Sequence, residues 1–125
     1  MTERIFLAVV GVAYLLLAAW CSLRPGPTSQ SVGFSLTPGS GQSEFLVVYG
    51  GLELGLGIAF LLPLYDANWT TFALFTCLII HACLVIFRAT SFFLYSGIHT
   101  TTYVLAVVEW LIFLSSLALT LLRSR

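Results

Sequence analysis

The stretch Glu44–Leu64, EFLVVYGGLELGLGIAFLLPL, decides how this chain is read. It is long enough to cross a bilayer, which takes ~20 mainly apolar residues in a helix. Yet it carries Gly50, Gly51, Gly55 and Gly57, and a carboxylate, Glu53, near its middle. A charge at that depth costs ~2.5–3.5 kcal/mol on insertion scales, so it must face protein or a wet cavity. Gly51 and Gly55 form a G-x-x-x-G face, which predicts close packing on another helix, within the chain or across a dimer. On a 3.6-residue wheel Glu53 falls on the opposite side, with Tyr49, Gly57 and Phe60. One face is thus expected to pack and the other to make polar contacts.

The rest of the composition agrees with a membrane setting. Of 125 residues, 59% are hydrophobic and 8% charged, where a soluble domain carries ~25% charged residues. Mean hydropathy is +1.03. Formal net charge is zero and lysine is absent, so there is no basic patch to hold nucleic acid. Cys21, Cys77 and Cys83 all lie in apolar segments without a C-x-x-C spacing, and read as small buried hydrophobes.

Working outward, four apolar segments emerge, at about 5–23, 45–64, 69–93 and 102–122. They predict an all-α fold, a single four-helix bundle integral to a membrane. The first segment follows Arg4, but Trp20 spoils a cleavage site before Cys21, so it reads as a retained helix with Ala8, Gly11 and Ala18 as its packing face. The connection 24–43 is rich in Pro, Gly and Ser: Pro25, Pro27 and Pro38 are expected to break any helix there. Val32, Phe34 and Leu36 alternate with small residues and predict an extended strap over the bundle mouth. Ser43 reads as the N-cap of the second spanning helix. Pro63–Asn68 reads as a tight turn.

Four crossings put both ends of the chain on one side. That side holds Arg4, Arg123 and Arg125, the other only Arg24 in a loop, so positive-inside counting places both termini in the cytoplasm of an inner-membrane protein.

Depth arithmetic then nominates a site. With a rise of 1.5 Å per residue, Glu53 lies roughly 13 Å below Glu44 and Glu109 about 10 Å below Thr102. Arg88 lies on the order of 10 Å below Tyr95. Three charges from three helices therefore share one layer in the outer half of the membrane, and an Arg beside two carboxylates is the pairing such a setting demands. His81 falls two turns deeper, on one stripe with Thr70, Cys77 and Arg88. Thr102, Glu109, Ser116 and Thr120 form the matching stripe of the last helix. Tyr49, one turn before Glu53, is its expected hydrogen-bond partner. No metal is expected, because two Glu and one His would have an Arg among them, and nothing calls for a cofactor.

At S-E-F-x-x-x-Y-G-G-L-x-L-G-L-G, Ser43 to Gly57, the chain resembles a bacterial family of four-helix membrane proteins catalogued only as a domain of unknown function. In layout it is similar to the wider DoxX-like group. The resemblance covers nearly the whole chain through the apolar first helix, the Pro-containing loop, Glu44 with Tyr49-Gly50-Gly51, Arg88 and Glu109. Many members have an Arg after the first Glu where this chain has Phe45. The resemblance implies a fold and no established reaction; DoxX-like relatives include proteins linked to quinone or thiol redox chemistry, for which this chain lacks the cysteine pair.

The function expected from these residues is an outward-opening polar pocket at Glu53, Arg88 and Glu109. It would bind a small lipophilic or anionic molecule, or serve an accessory subunit that meets a second copy or a partner membrane protein. A membrane enzyme acting on a sterol-like or quinone-like substrate would use Glu53 and His81 as acid and base, given a cavity joining them. A small proton-coupled exporter of the four-helix type is disfavoured, since its essential carboxylate belongs in the first helix, and the segment 5–23 has none.

Overall fold

A computed structural model describes residues 1–123; Arg125, counted above on the cytoplasmic side, lies outside them. Helix α1 spans Thr2–Leu23 and ends where Pro25 follows, since the residue before a proline is pushed out of helical conformation. A short helix α2 covers Pro25–Ser31. Here the structure corrects the expectation that Pro25 and Pro27 break any helix. Both sit in its first turn, where the missing N–H has no helical partner to lose. Hydroxyls close the turn, with Thr28 Oγ1 donating to Arg24 O at 2.7 Å and Ser29 Oγ to Gly26 O at 2.9 Å. Residues 34–37 have no regular structure, and Phe34 leans edge-on against Phe45 and Tyr49.

Helix α3 runs Ser40–Tyr65, starting earlier than Ser43. The capping role falls to Gly39, at φ 79°, whose N–H donates to Gln42 Oε1 at 3.3 Å. Within α3, Leu46–Leu52 winds as a π-helix before the regular turn resumes at Glu53. Pro63 is inside α3, and the turn is narrower than Pro63–Asn68: Asp66 accepts from Asn68 N at 2.9 Å and starts a 3-10 turn over Ala67–Trp69. Helix α4 spans Thr70–Leu94 and α5 Thr100–Arg123.

Helices α1, α3, α4 (with its leading turn) and α5 are each long and apolar enough to cross a membrane. Their surface is that of a membrane protein. Phe72, Ile79, Phe87, Val104, Val107 and Leu111 are exposed, while His81, Ser116, Thr70 and Cys77 are buried. In water such a surface would be an aggregation hazard; against lipid it costs nothing.

The helices pair off. α1 packs along α3, α5 packs along α4, and α4 joins the pairs through both α1 and α3. The core is Leu7, Val10, Phe60, Ala73, Leu74 and Cys77. Helix α5 is peripheral, with only 11% of its most apolar window buried, so most of its surface is left uncovered by the bundle. The closest approach is between α1 and α3. A Cβ on Gly57 would lie 2.7 Å from Leu15 Cδ2 and 3.0 Å from Gly11 O, and one on Gly11 would lie 2.8 Å from Leu61 Cγ. Of the expected packing face of α1, Gly11 and Ala18 are buried, whereas Ala8 is only half-buried and lines an outward groove.

Candidate functional site

Three polar groups lie inside the bundle. The first joins α4 to α5. These helices are antiparallel neighbours joined through residues 95–99, so a residue seven before the turn and one ten after it meet at one depth. Arg88 Nε donates to Glu109 Oε2 at 3.0 Å and Nη2 to Oε1 at 2.6 Å. This is the two-pronged fork of guanidinium on carboxylate. The side chains are 27% and 14% exposed. Below them Ser116 is fully buried and Thr120 Oγ1 donates to Ser116 O, so the last helix's polar stripe turns inward.

The second group is Glu53, the first residue after the π-helical turn. The structure does not join it to the ion pair. Its Oε2 is buried with no hydrogen-bond partner, and no donor from Arg88 or Tyr49 reaches the carboxylate. The reason is geometric. Arg88 commits Nε and Nη2 to Glu109 on its nearest helix, while α3 lies chiefly along α1. Tyr49 is not its partner either: the ring stacks on Phe45 at 4.6 Å and meets Phe34 edge-on at 5.8 Å. Glu53 is in electrostatic range of Tyr14, Tyr49 and Cys21.

The third group is His81, 1% exposed and enclosed by α1, α3 and α4. Its Nδ1 lies 2.8 Å from Cys77 O, which can only accept, so Nδ1 carries a proton. Neutral imidazole then leaves Nε2 as an acceptor, 3.2 Å from the Tyr14 hydroxyl. Tyr14 also packs edge-on against Phe60 at 5.5 Å. Sequence reasoning passed over Tyr14. Its signal is a polar aromatic in mid-helix, seven residues from Leu7 and Cys21, both buried. Cys77 is buried as expected, whereas Cys83 is exposed on the outer face of α4.

Within this chain the glycine face is open. A Cβ on Gly51 or Gly55 would meet nothing within 4 Å, so neither packs on a helix of this chain. The tight side of α3 is instead the Glu53 side, through Gly50, Gly57 and Phe60. Two cavities open at the bundle's ends, and neither is lined by Glu53, Arg88, Glu109 or His81.

A family model described as a domain of unknown function, DUF4345, matches residues 2–120. The chain belongs to the DUF4345 family. The match spans all four membrane-length helices, so the Arg88–Glu109 fork, Glu53 and the Tyr14–His81 pair all lie within the DUF4345 region. Neither the curated proteins nor the solved structures offer a match to the chain.

Proposed function

We propose that this DUF4345 protein binds, inside the membrane, a small lipophilic molecule that offers a hydrogen-bond donor or a positive charge to Glu53. The observation that carries this reading is the buried Glu53 Oε2 without a partner. Buried polar atoms are nearly always hydrogen-bonded, and an exception asks for an unseen water, ion or ligand. An anionic ligand is the weaker choice, because the Arg88 cation is already forked onto Glu109. Glu53 is half-buried and lines neither of the cavities at the bundle's ends, and a ligand entering sideways from the lipid would reach it. An acid–base enzyme using Glu53 with His81 is disfavoured, since both His81 ring nitrogens are engaged. We place the protein in an inner membrane with both ends cytoplasmic, on the strength of Arg4 and Arg123 at the end where α1 begins and α5 finishes.

The test uses dodecylamine, dodecanol and dodecane, which share a tail and differ in donor. Thermal stability is measured in lipid nanodiscs. The amine and the alcohol should raise the melting temperature of the wild type and dodecane should not. Glu53→Leu should abolish both shifts, and Glu53→Gln should keep the alcohol's and weaken the amine's. Equal shifts in wild type and Glu53→Leu would overturn the proposal.

A further inference from the structure

At the end of the bundle far from the 24–39 connection, α1 begins beside the last turn of α3. A groove of about 460 Å³ opens there, lined by Arg4, Ile5, Ala8, Val9, Val12 and Leu64. Positions 5, 8, 9 and 12 follow helical spacing, so the groove wall is one continuous apolar stripe of α1. Ile5, Val9 and Val12 are 58%, 66% and 47% exposed, and face away from the bundle. Arg4 at the groove's end is poorly satisfied. Its Nη2 lies 3.5 Å from Leu64 O, its Nε is buried with no acceptor, and among the described residues no carboxylate pairs with it.

We propose that this groove holds one anionic phospholipid, its phosphate on the Arg4 guanidinium and the upper part of an acyl chain along Ile5, Ala8, Val9 and Val12. A guanidinium matches phosphate oxygens with two parallel donors, and basic side chains at the cytoplasmic ends of spanning helices are where anionic headgroups collect. The lengths agree. From Arg4 to Val12 the helix rises about 12 Å, within the ~15 Å depth of one leaflet's hydrocarbon. A neutral headgroup would leave the arginine's donors without an anion. Free phosphate would leave the apolar wall unused. This site is at the opposite end from Phe34 and Tyr49 and does not depend on Glu53.

The probes are dioleoyl-phosphatidylglycerol and dioleoyl-phosphatidylcholine, which have the same tails and differ in headgroup charge. Each is titrated onto the delipidated full chain and counted by native mass spectrometry. The wild type should retain one phosphatidylglycerol at least tenfold more tightly than phosphatidylcholine. Arg4→Gln should bring the two to the same level, and Val9→Trp, an exposed position that can take the bulk, should reduce both by filling the groove. Arg24→Gln, an arginine at the other end, should leave the preference unchanged. The proposal is overturned if wild type retains both lipids equally, if the preference survives Arg4→Gln, or if Arg24→Gln lowers it as much. A stabilisation by sodium phosphate that matches the lipid's would also overturn it.

Discussion

Arg88 and Glu109, 21 residues apart, meet through two hydrogen bonds of 3.0 and 2.6 Å between adjacent antiparallel helices. They are the only ion pair among the described residues that joins one helix to another. Helix α5 has little else to hold it, since it packs mainly on α4 and buries the least of the four spans. Removing one partner of such a pair strands the other in low dielectric. Arg88→Leu should therefore cost about 3 kcal/mol, near the low end for buried pairs because Arg88 keeps some exposure. Glu109→Gln in that background should recover part of the loss, and Glu44→Gln, at an exposed position, should not. Unfolding by sodium dodecyl sulfate in mixed micelles gives the four free energies. Strict additivity of Arg88→Leu with Glu109→Gln would show that the fork contributes nothing as a pair.

Gly57 and Gly51 should respond oppositely to an added methyl group. At Gly57 the new Cβ would sit 2.7 Å from Leu15 and 3.0 Å from the Gly11 carbonyl, so α1 and α3 must move apart. Gly57→Ala should cost about 1–3 kcal/mol, the usual penalty for overpacking. At Gly51 nothing lies within 4 Å. Gly51→Ala should stay within about 0.5 kcal/mol or stabilise, because alanine is the better helix former. The same unfolding assay decides; a Gly51→Ala loss as large as that at Gly57 would mean that the open face is covered, most simply by a second copy.

The four spans were legible because each is a long run of apolar residues, a signal that survives any packing arrangement. The Arg88–Glu109 meeting was legible too, since sequential antiparallel helices joined by a short turn fix relative depth by counting. Glu53 obeyed the same arithmetic yet found no partner. Depth alone does not say which helix is the neighbour, and α3 turns chiefly to α1. A helical wheel likewise divided α3 correctly into a Gly51/Gly55 side and a Glu53/Gly57 side, but could not say which one faces protein. The deciding contact is Gly57 on Gly11, a pairing between two separate segments. The π-helical turn over Leu46–Leu52 left no trace in a period read at 3.6 residues. Tyr14 stayed hidden for a similar reason: its role exists only once His81 of another helix is placed beside it.

Orientation can be read by labelling. With Cys21, Cys77 and Cys83 replaced by alanine, Ser40→Cys and Asn68→Cys put one thiol at each end of the bundle. The arginine count predicts that a membrane-impermeant maleimide labels Ser40→Cys in intact cells and Asn68→Cys only after permeabilisation. The reverse pattern would move the charged layer to the cytoplasmic half of the membrane.

Tyr14→Phe isolates the hydrogen bond between α1 and α4. The ring stays, with its edge-on packing against Phe60, and only the hydroxyl that meets His81 Nε2 is lost. With His81 1% exposed, water cannot replace that donor, and a buried acceptor left empty costs about 1–3 kcal/mol. In a His81→Leu background the hydroxyl itself has no partner, so the same Tyr14→Phe change should be close to neutral or stabilising. A double-mutant cycle in mixed micelles measures the difference. A coupling near zero would mean that the 3.2 Å contact carries no energy. The tautomer offers an independent check. Because Nδ1 faces the Cys77 carbonyl at 2.8 Å, the nitrogen-15 spectrum of His81 should show a protonated Nδ1 and a bare, hydrogen-bonded Nε2. In Tyr14→Phe the Nε2 resonance should shift towards that of a free acceptor while Nδ1 stays put. A spectrum with the proton on Nε2 would reverse the direction of the Tyr14 bond, making His81 the donor and the Tyr14 oxygen the acceptor.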